Sequence, residues 1–241
     1  MNSTSLVALI VVSAAIVVLA LFLVMWHERT TKRTATVAVV SGIVLVAWMV
    51  STCVLASSGF YLPPSSGPPP VGVQLVVALA LLAVAVIASP SLRSLLTNQA
   101  NLIRLNVWRL LGVVFLALMF TGQVPAIWAL PAGLGDVLIG ATAFWVAGRL
   151  EAPGGRKRAI IFNLLGLLDL VVAISLGMIT SPGSTQLLQT TPSAGLLTQF
   201  PLVLVPTFLV PLAIANHLVS LQQLLGAAWV VRRPTRAVGT H

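Results

Sequence analysis

Only four residues of the 241 are acidic. Glu28 and Glu151 sit in short polar segments, but Asp136 and Asp169 lie inside long apolar runs. A charged Asp at the centre of a membrane helix costs about 2.5–3.5 kcal/mol on the insertion scale. A residue that expensive faces a bundle interior or water, where it binds a proton or ligand or ties helices together. His217, Arg109, Asn163 and Asn216 fall in similarly apolar surroundings. A neutral His beside a carboxylate can carry protons near neutral pH, and it can equally serve as a fixed hydrogen-bond partner. Arg109 lies near the start of its apolar run. There its long stem favours snorkelling to headgroups over pairing with an Asp. We take Asp136, Asp169, His217, Arg109, Asn163 and Asn216 as the candidate proton- or ligand-binding set, with no metal assigned.

The two acids share a short echo, Gly133-Leu134-Gly135-Asp136 and Gly166-Leu167-Leu168-Asp169. Chance recurrence is a live alternative in a chain this rich in Gly and Leu. Gly133 and Gly140 flank Asp136 at i−3 and i+4, while Gly166, Ala173 and Gly177 share the Asp169 face. Small residues on one face allow close helix approach. A rise of 1.5 Å per residue places Asp136 about 18 Å, Asp169 about 15 Å and His217 about 12 Å from one membrane face. The expectation is that both carboxylates meet one interior cavity, with His217 or Arg109 close to at least one of them. Two carboxylates in a low dielectric repel, so such a pair exchanges protons as a unit unless a cation neutralises it.

These residues must be positioned by membrane helices. Hydrophobic residues make up 58% of the chain and charged residues 7%, against about 25% charged in soluble domains. Runs of about 20 apolar residues suffice to cross the hydrocarbon core. They read as spans over 5–26, 35–57, 71–89, 105–123, 126–148, 159–180 and 200–225. The first is too long, and lacks the preceding base, for a secretory signal, so it is expected to be a retained helix. The fold class is therefore all-α: a polytopic bundle of about seven transmembrane helices forming one domain over 1–241. Between spans three and four, Leu92, Leu95, Leu96, Leu102 and Ile103 recur at helical spacing. They predict a cytoplasmic interfacial helix over 90–104. Pro206 and Pro211 predict kinks in the seventh span.

With seven spans, all thirteen Lys and Arg fall on one side of the bundle. The positive-inside rule makes that side cytoplasmic, with the N-terminus outside and the C-terminus inside. The opposite side carries the Pro-rich stretch 59–70 and the uncharged stretch 181–199. Trp26, Trp108, Trp128, Trp145 and Trp229 fall near span ends, where indole rings prefer the interface. The charge of +9 is spread over four short segments and reads as topology and lipid contact, not nucleic-acid binding. The expected location is a plasma or bacterial inner membrane.

Several chemistries are disfavoured. Retinal needs an intramembrane Lys, but Lys32 and Lys157 lie in loops. A bis-His haem, or the His-rich metal site of the seven-helix amide hydrolases, needs more than the single intramembrane His217. Cys53 is the sole cysteine and reads as a small buried hydrophobe. No cofactor is expected. Three functional classes remain, in order of weight: a transporter or proton-linked permease with its polar site in spans four to seven, an accessory or assembly protein in which the same groups tie helices together, and a membrane enzyme acting on lipid or isoprenoid substrates. A carboxylate-lined cavity open to one face favours the first. Fully paired acids without a cavity favour the second. A lateral opening with metal at the acids favours the third. Membrane lipids are the expected partners, with a small molecule or ion as substrate.

Overall fold

The computed structural model describes residues 3–63 and 66–226, and every regular element among them is helical. In chain order these are α1 (Ser3–His27), α2 (Lys32–Ser57), α3 (Pro70–Ala88), α4 (Pro90–Leu95), α5 (Gln99–Arg104), α6 (Gly112–Phe120), α7 (Ala126–Gly148), α8 (Gly155–Thr180) and α9 (Val210–Leu224). A 3-10 segment, Leu105–Leu111, joins α5 to α6, and a π turn, Val205–Leu209, leads into α9. Seven of the resulting rods are long and apolar enough to cross a membrane. The expectations for Trp229, Arg232, Arg233 and Arg236 fall outside the described residues.

The helix ends gather on two faces. Asn98 Nδ2 donates to Glu28 Oε1 at 3.1 Å, joining the α1–α2 turn to the α4–α5 turn. Arg156 Nε donates to the Leu224 carbonyl at 2.8 Å. These contacts define a basic face. On the opposite, proline-rich face, Ser184 Oγ donates to the Gly67 carbonyl.

The bundle is uneven. In α3 only Leu75 and Ala78 are buried within the protein, whereas most of the last span is. Ile43, Leu81 and Ile87 in α2 and α3 are 63–74% exposed, as side chains facing lipid would be. α9 instead runs through the centre, packed on α3, α5 and α8, while α7 packs on α6, α8 and the 3-10 segment.

The fourth rod differs most from expectation. The interfacial helix over 90–104 is not one element. Asn98 caps a new helix by accepting from Asn101 N–H at 3.1 Å, and the rod from Gln99 to Phe120 forms a single span. Leu102 and Ile103 are buried in protein, not against headgroups. The span thus begins six residues earlier than the sequence reading placed it, and Arg109 moves to its middle. Snorkelling is overturned by that shift, since Arg109 is fully buried. Trp128 is also corrected. It is buried, and its Nε1–H donates to the Ala173 carbonyl at 3.0 Å. Trp145 does sit exposed, with the Arg149 guanidinium 4.9 Å from its ring centre.

Candidate functional site

The middle of the fourth rod approaches α7 backbone to backbone. A Cβ on Gly112 would lie 2.6 Å from Asp136 Cβ, and one on Gly140 would lie 2.7 Å from Leu110 N. Contacts this close exclude any side chain, so glycine sets the helix spacing. The seven-residue 3-10 stretch exceeds the usual three or four. At its start the Leu102 carbonyl receives two side-chain amides, Asn106 Nδ2 at 3.1 Å and Asn216 Nδ2 at 2.8 Å. Asn106 Nδ2 also reaches the Ile103 carbonyl at 3.2 Å. These amides serve carbonyls where the α ladder gives way to the tighter winding.

Arg109, near the end of that stretch, enters the cleft between α7, α8 and α9. Its Nε donates to Asp136 Oδ1 at 2.5 Å, and its Nη2 donates to Asp169 Oδ2. Its Nη1 donates to the Gly166 carbonyl at 3.3 Å and faces His217 Nε2 at 3.2 Å. One guanidinium therefore serves two carboxylates, using one oxygen of each.

The hydrogen-bond partners fix the histidine. Guanidinium has no acceptor, so Nε2 of His217 must present its lone pair to Arg109. His217 Nδ1 lies 2.9 Å from Asn163 Oδ1. The amide orientation is set in turn, because Asn163 Nδ2 donates to the Ala159 carbonyl and to Ser220 Oγ, both at 2.8 Å. His217 is thus the neutral tautomer with its proton on Nδ1. Gln99 Nε2 also donates to Ser220 Oγ. The chain of contacts runs from the acids through Arg109, His217, Asn163 and Ser220 to Gln99 near the basic face.

The glycine echo has two different uses. Gly133 clears the backbone of the fourth rod, where its Cβ would lie 2.9 Å from the Gly112 carbonyl. Gly166 instead leaves room for the His217 ring, and Gly135 for the Asp169 carboxylate, each of which a Cβ would overlap. The two runs match in letters but not in role.

Asp136, Asp169, Arg109, His217 and Asn163 therefore come together. Asn216 does not join them; it braces the start of the fourth rod. Asp136 also lines an apolar cavity of about 90 Å³. Pro63, Pro69, Ser181 and Thr198, from segments of the proline-rich face, line one part of it, and Trp128, Phe115 and Leu170 line the part within the bundle. Asp169 is not among its lining residues, so the expected cavity receives one acid rather than both.

Near the proline-rich face lies a second polar cluster, which sequence reasoning missed. Tyr61 Oη donates to Gln74 Oε1, and Gln74 Nε2 donates to Thr52 Oγ1 at 3.1 Å. The same Nε2 reaches the Thr207 carbonyl at 3.5 Å. Pro211 stands four residues after Thr207 and has no N–H, so it leaves that carbonyl without its helical donor. The π turn is closed instead by Val210 N–H to the Val205 carbonyl. Burial pushes the Tyr61 phenol above its ordinary value. Gln99 and Asn106 were also missed, because a span start at Leu105 places them outside the bilayer or at its edge. The spacing of Asn98 ahead of Asn101 is the one cue that could have moved the span start.

The family model for a domain of unknown function, DUF8737, matches residues 68–225, and the chain belongs to that family. The matched region contains α3 to α9 and every residue of the Arg109 network, while α1 and α2 precede it. No curated protein and no solved structure matches the chain.

Proposed function

We propose that this DUF8737 member is a proton-linked permease of a cell membrane, with the Asp136–Arg109–Asp169 triad as its proton-binding element. The observation that carries this reading is the charge count. Two carboxylates share one buried guanidinium, and His217 adds no charge. With both acids ionised, the triad carries one uncompensated negative charge in a low dielectric, which is costly. One proton, or one cation, restores neutrality. Asp136 also borders a cavity whose lining continues to residues of the proline-rich face, which suits a site with access to one side. The base distribution makes that the outer face.

The accessory-protein reading draws on a different feature, namely that Arg109 is held by four partners. Paired acids alone would favour it, but it gives no reason for the second carboxylate or the cavity. An enzyme with metal at the acids fits less well, since Arg109 occupies the space between them. Among the described residues no group of three His, Cys, Asp or Glu could hold a metal.

The test is a pH jump on proteoliposomes adsorbed to a solid-supported membrane. Proton binding inside the bilayer gives a transient charge displacement in the parent protein, and Asp136→Asn and Asp169→Asn each remove it while the protein stays folded. An equal displacement in both variants contradicts the proposal.

A further inference from the structure

We infer that the cavity above Asp136 binds a hydrophobic organic monocation, whose charge replaces the proton on the carboxylate pair. This inference rests on the proton-linked reading and names its substrate class.

The cavity's chemistry narrows the occupant by elimination. An anion is disfavoured, because Asp136 is the charged residue lining the cavity and Arg109 is already committed to two carboxylates. A sugar or other polyol needs polar partners along its length. Here the polar lining residues Tyr61, Ser181, Thr185 and Thr198 come from the segments of the proline-rich face, and the rest of the wall apart from Asp136 is hydrocarbon and aromatic. A metal ion needs about six oxygen ligands to replace its water, and the part of the wall within the bundle offers a single carboxylate. A cation bearing apolar groups meets each requirement. Its substituents lie against Leu75, Leu170 and Ile174, and its charge approaches Asp136.

Aromatic rings favour the same class. Trp128 and Phe115 stand 5.0 Å apart, centre to centre, on the cavity wall. The bond from Trp128 Nε1 to the Ala173 carbonyl fixes the indole. Ring faces attract weakly hydrated cations, most strongly where water is excluded.

Proton and cation then compete for one negative charge. Each bound cation releases one proton from the pair, which keeps the triad neutral in both states. Exchange of this kind couples uptake of one to release of the other with no change in buried charge.

The probe is tetraethylammonium, a small weakly hydrated monocation, added in radiolabelled form to the purified full chain in detergent. We expect saturable binding with release of one proton per site, read by a pH dye in weak buffer. Where the pair is mostly protonated, that one-for-one release makes affinity fall about tenfold for each unit of acidification. Asp136→Asn and Asp169→Asn, each checked for an unchanged melting profile, lower affinity at least about tenfold. Ile174→Trp and Met178→Trp, which fill the cavity, do the same. Equal binding in the parent and both Asn variants, or binding without proton release, overturns the inference. So does absence of saturable binding. If the pH-jump displacement persists in that last case, only the cation class falls; if it is absent too, the proton-linked reading falls with it.

Discussion

The two polar clusters solve the same problem with different chemistry. Near the proline-rich face, Tyr61, Gln74, Thr52 and the Thr207 carbonyl form a neutral set in which donors meet acceptors. Deeper in, Arg109, Asp136, Asp169, His217 and Asn163 form a set that is geometrically satisfied but unbalanced by one charge. Removing a member of the neutral set costs hydrogen bonds and no charge. Removing a member of the charged set can cost or relieve charge, depending on which one goes. A tie between helices needs only the first kind of chemistry. The excess charge of the second is what points to function.

The largest effect is expected at the cation. Arg109→Leu strands two carboxylates and should destabilise by about 3–5 kcal/mol, seen as loss of monodisperse protein. Adding Asp136→Asn and Asp169→Asn to that variant should restore much of the folded yield but not the charge displacement. The double variant Asp136→Asn/Asp169→Asn, with Arg109 intact, strands the guanidinium and should also lose about 3–5 kcal/mol. Each single Asn variant leaves a neutral pair and should melt within about 1 kcal/mol of the parent. Strong non-additivity is therefore the signature of two acids on one base. Additive losses would mean that the acids act independently.

Glycine variants come next. Gly135→Ala pushes into the Asp169 carboxylate and Gly166→Ala into His217. Overpacking of this kind costs about 1–3 kcal/mol, read as a lower melting temperature in detergent. Gly148→Ala meets nothing within 4 Å and serves as the control.

The architecture and the charged residues were legible in the sequence because hydrocarbon makes charge conspicuous. Long uncharged runs gave seven spans, and Asp136, Asp169 and His217 stood out within them. Their shared partner was misread for a local reason. Asn98 starts a helix that merges with the fourth span, whereas hydropathy alone puts the start at Leu105, which places Arg109 close to the headgroup layer. Trp128 shows the same limit, since proximity to a helix end does not say which way a ring points. Gln74, Thr52 and Gln99 carry little transfer penalty and have partners far away in sequence, so no local pattern announces them. Pro211 did predict disruption of the last span, but the donor that answers it comes from α3.

The neutral cluster should give smaller effects. Intramembrane hydrogen bonds average about 0.6 kcal/mol and reach about 1.7 kcal/mol. Gln74→Leu removes bonds to three partners and should cost about 1–2 kcal/mol without changing the pH-jump signal. Tyr61 is the sole tyrosine, so its ultraviolet titration is unambiguous. Burial raises its value in the folded state, so its stabilising contribution is complete below the free phenol range and is lost as pH rises through the folded value. The tyrosinate signal should appear above the range of free tyrosine and return to it on unfolding.

The central claim is that the triad holds one exchangeable proton. Infrared titration of protein labelled with ¹³C at the aspartate side chains measures this most directly, because a protonated carboxyl has its own C=O stretch and the chain has only two aspartates. The account predicts one carboxyl titrating per chain in the parent and none in either Asp136→Asn or Asp169→Asn, since each variant leaves a neutral pair with Arg109. A carboxyl that still titrates in both variants, or two that titrate independently in the parent, would contradict it.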